Sequence, residues 1–398
     1  MKKILLLGGL RYLIPVINAA HQQGYYVITA DYLPDNYAHK FSDEYINISI
    51  TDQEGVLKEA QKRHINGVIS FAVDPGVVTA AYVQEQMNLP VLGPYESVKI
   101  LQNKDLFRLF LKNNGFNVPN AKSYDSLVEV QNDLKNWNYP VIVKPTDSAG
   151  SKGVKRVDKE TELITAAENA FANALKGKII IEDYIEPEGC TSDSDSFSVN
   201  GEMKFITFSA QRFDKNATNP YVPSAFSWPS TFTEKQQSYL KSELQRLITL
   251  LKMQTTVYNI ETRIGKDGKA YIMEVSPRGG GNRLSEMVKL STGVDFITAA
   301  VRAAVGDKVD IKPAPLKGHW AEVILHAHTD GKFEHLIVSQ ELKQFVQSID
   351  LWAKRGDKIN SFIGANASYG TMILKFDTAE QVNDYVNNIN NYVQLIVK

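Results

Sequence analysis

Short apolar runs separated by helix-period segments set the pattern of the first part of the chain. Ile4-Leu-Leu-Leu7 has the continuous hydrophobicity of a strand buried on both faces. Gly8-Gly9 then makes a turn, a helical stretch reaches about His21, and Tyr25 to Ala30 forms a second strand ending at Asp31. Strands and helices keep alternating to Leu92-Gly-Pro94, which predicts an open parallel α/β domain over residues 1–94. A helix next carries Lys104 toward Asn113-Asn-Gly115. Residues 118–190 read as a small subdomain inside a unit spanning 95–305, which continues through Asp195 to Phe208, a helix near Thr233 to Leu251, a hairpin, and a helix after Leu284. The Pro-rich break Lys312-Pro-Ala-Pro-Leu opens a last α+β region, 306–398, with strands at Ala321 to His328 and Tyr369 to Asp377 and a helix from Thr378.

The hairpin carries the chemistry. In Tyr258-Asn-Ile-Glu261-Thr-Arg263-Ile-Gly-Lys-Asp-Gly-Lys-Ala-Tyr-Ile-Met-Glu274-Val-Ser276-Pro-Arg278, a two-residue turn at Asp267-Gly268 would pair Lys266 with Lys269. That register sets Glu261 opposite Glu274, Asn259 opposite Ser276 and Arg263 opposite Ile272. Two carboxylates held so close repel unless a cation sits between them, and Mg²⁺ takes one or two carboxylates together with phosphate oxygens. Pro277-Arg278-Gly279-Gly-Gly281-Asn282-Arg283 follows, with glycines that let a backbone approach a ligand and guanidinium groups suited to oxyanions.

Two further segments point to phosphate. Tyr139-Pro-Val-Ile-Val-Lys144 delivers a lysine to a small-residue loop, Ser148, Gly150, Ser151, Lys152 and Gly153, whose N–H groups can wrap an anion. This is not a Walker loop, because no Gly-Lys-Ser/Thr opens a following helix. Lys178-Ile-Ile-Ile-Glu182-Asp183-Tyr184-Ile185-Glu-Pro-Glu188 is a β-branched strand ending in acids.

Taken in order, Lys144 with its loop, the Glu182 strand, the acidic hairpin and Arg278 resemble the ATP-grasp superfamily, over nearly the whole chain. The resemblance implies an N-terminal α/β domain, a two-lobed ATP-binding domain and a small C-terminal domain like those of the carboxylase and purine-synthesis branches. It assigns Lys104 and Lys144 to the phosphates and Lys152 to the terminal phosphate from a closing loop. Asp183, Tyr184 and Ile185 would lie along the adenine edge beside Glu182, with Glu188 at the ribose. Glu261 and Glu274 would hold Mg²⁺, two ions in this reading, with Mn²⁺ an alternative. Arg278 and the N–H groups of Gly279 to Gly281 would stabilise an acyl phosphate and its oxyanion. The family commonly has asparagine where this chain has Ser276, and the hairpin register offers Asn259 as its replacement. Gly8, Asp31 and Asp74 would line the substrate edge of the first domain.

The implied reaction is activation of a small carboxylate, such as an amino acid, by ATP and its transfer to an amine. The partners are those small molecules, and a homodimer is compatible. Arg212, Arg263, Asn282, Arg283 and Asp74 are candidates for gripping substrate, and Phe226 and Trp228 for walling an apolar pocket. The Met-Lys-Met of biotin attachment and a duplicated half are both absent. The alternative is a nucleotide-binding sensor of the same fold, for which Ser276 is the best support.

Composition narrows the setting. The 398 residues are 43% hydrophobic and 22% charged with a net charge of −1, which gives no pull toward nucleic acid or an anionic membrane. The single cysteine, Cys190, cannot form an internal disulfide, as expected of a cytoplasmic protein. The basic, apolar opening could be mistaken for a secretory leader, but Arg11 interrupts it. Gly8-Gly9 lacks the later glycines of a dinucleotide fingerprint, so NAD is the weaker reading. His326 and His328, at i and i+2 on an expected strand, read as paired surface or interface histidines for want of a nearby third ligand.

Overall fold

The computed structural model describes residues 1–148 and 150–398. The opening α/β pattern forms a four-stranded parallel sheet in the order Glu44–Asn47, Tyr26–Asp31, Lys3–Leu7, Gly67–Ser70. Because the Lys3–Leu7 strand has neighbours reached by opposite crossovers, its carboxyl end is the place where such sheets hold ligands. Asp74 lies just past the end of the fourth strand, and the Ala72 N–H donates to the Gly279 carbonyl at 3.0 Å, joining this edge to the glycine-rich turn.

The next sheet is antiparallel, in the order Ala121–Tyr124, Ile179–Asp183, Val141–Pro145, Lys155–Val157. One face packs on the Leu163–Ala172 helix through Val141, Val143, Ile179 and Ile181. The alternation in these strands turns Lys144 and Glu182 to the other face, toward the hairpin. A second antiparallel sheet, Glu202–Ile206, Ser192–Val199, Thr256–Ile264, Ala270–Ser276, carries that hairpin. The Glu234–Leu250 helix backs it with Leu240, Leu244 and Leu247 and starts at a capping box on Thr233.

The five-stranded sheet runs Ala210–Phe213, Pro223–Trp228, His319–Ile324, Gly370–Phe376, Val346–Leu351. It straddles the boundary expected at 305/306, since Ala225 to Trp228 of the second strand pair with Trp320 to Val323 of the third. A three-stranded sheet of Lys358–Ile359, Gly331–Val338 and Val393–Val397 completes the C-terminal region. The strand expected to run through His328 stops at Ile324, so the two histidines do not share a strand face. Ala327 instead receives the Phe362 N–H through its carbonyl at 3.0 Å, and both rings lie past the ladder. No helix among the described residues is long and apolar enough to cross a membrane.

Candidate active site

The hairpin reaches its expected pairing by an unexpected route. Gly265 N–H donates to the Lys269 carbonyl and Gly268 N–H to that of Gly265, both at 2.8 Å, with Gly268 at φ +75°. The turn is therefore a three-residue loop with glycine in the left-handed position, not the two-residue turn anticipated. Arg263 consequently faces Tyr271 instead of Ile272. A bulge opposite Glu261 and Thr262 adds one residue to the second strand, Met273, and restores the register. Glu261 ends opposite Glu274 and Asn259 opposite Ser276, as expected. The Met273 carbonyl accepts from Arg108 Nη1 at 2.8 Å, so a buried side chain anchors the bulge.

The neighbouring strand adds two acids that the reading of the sequence passed over. Glu261 pairs with Asp193 and Asn259 with Asp195, so four carboxylates share the same face across three strands. The strict alternation in Ser192-Asp-Ser-Asp-Ser196 was the available signal. Burial, then Glu261 and Asp195, pushes the Asp193 carboxyl well above the usual range. Burial also lifts Asp195 to about 6 against the Ser285 hydroxyl and the Gly280 N–H that bond it. Glu261 is raised by burial and Glu274, with Arg263 opposing. Asn259 Nδ2 donates to Asp193 Oδ1 at 2.6 Å and Asp195 Oδ1 at 3.3 Å, while the Ser276 hydroxyl donates to Asp74 Oδ1 at 2.9 Å. The two residues share a face but turn to different partners.

Cationic groups face this row. Lys104 opens the Lys104–Asn113 helix, donates to the Ser148 carbonyl at 3.1 Å, and holds its Nζ 3.8 Å from Glu274 Oε2. Lys144 pairs with Glu182, which also accepts from Arg108 Nε at 2.9 Å. Burial alone would raise Glu182, but Arg108 and Lys144 outweigh it and hold the carboxyl at about 2. Arg108 was another omission; it lies one helical turn beyond Lys104, on the same face.

Several anticipated roles meet competition. The Ser148 hydroxyl donates to the Asn173 carbonyl, and the Ser151 hydroxyl to that of Tyr221 at 3.0 Å. Gly150, Ser151 and Gly153 all take positive φ, Lys152 is exposed, and Ala149 lies outside the described residues. The Asp183 N–H is committed to the Asn120 carbonyl at 2.9 Å and the Tyr184 N–H to that of Pro140 at 3.1 Å. The Ile185 carbonyl accepts from Arg263 Nη1 at 2.8 Å, and the Glu188 N–H reaches the Ile264 carbonyl at 2.8 Å. Of Gly279, Gly280 and Gly281, the last alone stands clear. A side chain on Gly279 would strike the Phe71 ring, and Gly280 spends its N–H on Asp195. Arg278 grips Asp74 through two bonds of 2.8 and 2.7 Å, so Asp74, anticipated at substrate, has a protein partner.

Other substrate candidates are corrected by burial. Arg212 is spent on Asn387 at 2.7 Å, Ser227 at 2.6 Å and the Ala210 carbonyl at 3.0 Å, away from the acidic face. Phe226 and Trp228 are fully buried against Leu284 and Met287, so they fill a core and wall no open pocket. Asn282 accepts from the Tyr12 hydroxyl at 3.0 Å, and Arg283 pairs with Glu286 at 3.1 Å. Beside them is Glu322, missed from sequence because its strand reads as apolar. It is fully buried with neither carboxylate oxygen bonded among the described residues, and burial pushes its carboxyl well above the usual range against Arg283.

Residues 137–286 match the family model of the ATP-grasp domain. The carbamoyl phosphate synthase large chain of Clostridium beijerinckii is 25% identical over 264 residues, 65% of this chain and 24% of that protein. The chain thus spans about a quarter of the length of the curated relatives it matches. Among solved structures, an L-amino acid ligase from Bacillus licheniformis superposes with a TM-score of 0.83 at 21% identity, covering 100% of this chain and 99% of that one. Phosphoribosylglycinamide synthetase from Anaerococcus prevotii gives 0.75 at 21% identity, with 100% of both chains covered. The biotin carboxylase domain dimer of Hydrogenobacter thermophilus 2-oxoglutarate carboxylase, in complex with MgADP and bicarbonate, gives 0.73 at 18% identity over 100% of this chain and 91% of that one. The chain shares the fold of these solved structures, and its match to the ATP-grasp domain lies in residues 137–286.

Proposed function

We propose that this chain is an ADP-forming ligase that activates a small carboxylate as its acyl phosphate and joins it to an amine. The observation that carries this reading is a row of four carboxylates on the hairpin face, with Asp193, Asp195 and Glu261 raised, beside which Lys104 stands 3.8 Å from Glu274, Lys144 pairs with Glu182 on the opposite wall and Arg278 ends the hairpin. Raised carboxyls crowded on one face are short of positive charge, and the all-oxygen donor set suits Mg²⁺. Glu261 and Glu274 would hold the ion, which supplies charge neutralisation for the phosphates. Lys104 and Lys144 approach the phosphates from the opposite wall. The substrate carboxylate attacks the γ-phosphorus and ADP leaves. An amine nitrogen then attacks the acyl carbon, expels phosphate and loses a proton. Arg278, fixed by Asp74, is placed for the oxyanion of that second step.

Lys152 and the loop at 146–153 would close over the reactants and keep water from the acyl phosphate. The test is ADP and phosphate release from MgATP across a panel of amino acids and small carboxylates, alone and in pairs. Stoichiometric ADP and amide from one pair is the expected result. MgATP binding without turnover across the panel would overturn the reading in favour of a sensor, toward which the capture of Ser276 by Asp74 and Gln102 points.

A further inference from the structure

Away from the cleft, Asp214, His326 and His328 converge where the five-stranded sheet ends. Asp214 follows the Ala210–Phe213 strand and the histidines follow His319–Ile324, with the Pro223–Trp228 strand between those two. The Asp214 and His326 side chains are 3% and 5% exposed, while that of His328 is 44% exposed. Both Nε2 atoms aim at one oxygen, Asp214 Oδ2, at 3.0 Å from His326 and 2.6 Å from His328. The other oxygen, Oδ1, already accepts from the Asn216 N–H at 2.8 Å. One donor atom from each of the three residues lies within 4.8 Å of the others.

The hydrogen bonding of His326 decides what this cluster wants. Its Nδ1 stands 2.8 Å from the Ile324 carbonyl, which can only accept, so Nδ1 carries the hydrogen. In a neutral ring Nε2 then presents its lone pair to a carboxylate oxygen. Two acceptors so close repel unless a cation lies between them. A carbonyl on the far ring nitrogen is also the arrangement that orients metal-binding imidazoles. The ring is held flat on Phe362, with centroids 4.2 Å apart. On the open side both imidazoles, with Thr329, Asn390 and Gln394, line a cavity of about 380 Å³.

We propose that Asp214, His326 and His328 form a binding site for one divalent ion of the zinc type, its remaining positions filled by water from that cavity. Two imidazoles and one carboxylate suit borderline ions such as Zn²⁺, whereas Mg²⁺ favours oxygen. The site is distinct in place and donor chemistry from the hairpin face, and it does not depend on the ligase reading.

The experiment titrates Zn²⁺ into untagged, chelator-stripped full-length protein by calorimetry at neutral pH, with metal content checked by elemental analysis. One equivalent per chain should be lost, or weakened by more than about 100-fold, in His328→Ala, since even loss of a supporting partner costs 10- to 100-fold. Its half-exposed position makes that variant safe to fold, and Asp214→Asn serves as a second. Glu274→Gln should keep the equivalent. The His326 and His328 imidazole nitrogen resonances should shift on adding Zn²⁺. Equal Zn²⁺ binding by the wild type and His328→Ala, no binding at all, or a His326 ring that stays doubly protonated and indifferent to Zn²⁺ would overturn the proposal.

Discussion

The two walls of the cleft treat buried acids in opposite ways. On the smaller lobe, Glu182 is flanked by Arg108 and Lys144 and is held at about 2. Across from it, Asp193, Asp195 and Glu261 have their pKa values raised, with Asp195 at about 6. The first wall is balanced by the chain's own cations. On the second, burial raises the carboxyls and no basic side chain among the described residues forms an ion pair with Asp193 or Asp195.

The largest expected effect tests the balanced wall. Arg108→Met removes one partner of a buried pair and should destabilise the protein by about 3–5 kcal/mol. Urea unfolding reads this directly, and a loss under about 1 kcal/mol would place Arg108 outside the scaffold. The same kind of change on the other wall should behave differently. Glu274→Gln is expected to lower ADP-forming turnover by at least about 100-fold, as loss of one group that stabilises transition-state charge does. The metal-free variant should melt at the same temperature or higher, because a repulsion is relieved. A marked fall in melting temperature with normal turnover would erase the contrast between the walls.

The smallest effect is in pH. Glu182, depressed from about 4.3 in the unfolded chain, contributes stability present above that value and lost as pH falls through 2. Asp195 has the opposite sign. Its folded pKa of about 6 lies above the unfolded value near 3.9, so the contribution is full below about 4 and is lost as pH rises through 6. Urea midpoints of metal-free protein should therefore decline between about pH 4 and 6, and Mg²⁺ with nucleotide should flatten that decline. A midpoint insensitive to Mg²⁺ throughout this range would argue against a cation on the acidic face.

The history of the hairpin shows how much was legible before any coordinates. Opposition of Glu261 and Glu274 followed from counting outward from a glycine turn, yet the assumed turn was one residue too short. The bulge at Met273 cancelled that error, and its anchor, Arg108, comes from a helix 165 residues earlier. Local turn chemistry cannot report such an anchor. Asp193 and Asp195 were visible as an alternating pattern, but nothing local placed their strand beside Thr256–Ile264. Phe226 and Trp228 were misjudged for a related reason: apolar size reads the same for a pocket wall and for a core, and only the packing of Leu284 and Met287 over them decided.

By itself, then, the chain determined elements whose causes are local. The first parallel strands come from continuous apolar runs, the helix at Glu234–Leu250 from its period and capping box, and Lys144 and Glu182 from strand alternation. The tertiary structure decided which charges meet. Arg108 with Glu182, Arg278 with Asp74, and Asp214 with His326 join residues 74, 204 and 112 positions apart. Whether a carboxylate is neutralised, raised or left waiting depends on burial and on partners brought from that distance, and those exist only once the sheets have closed on one another.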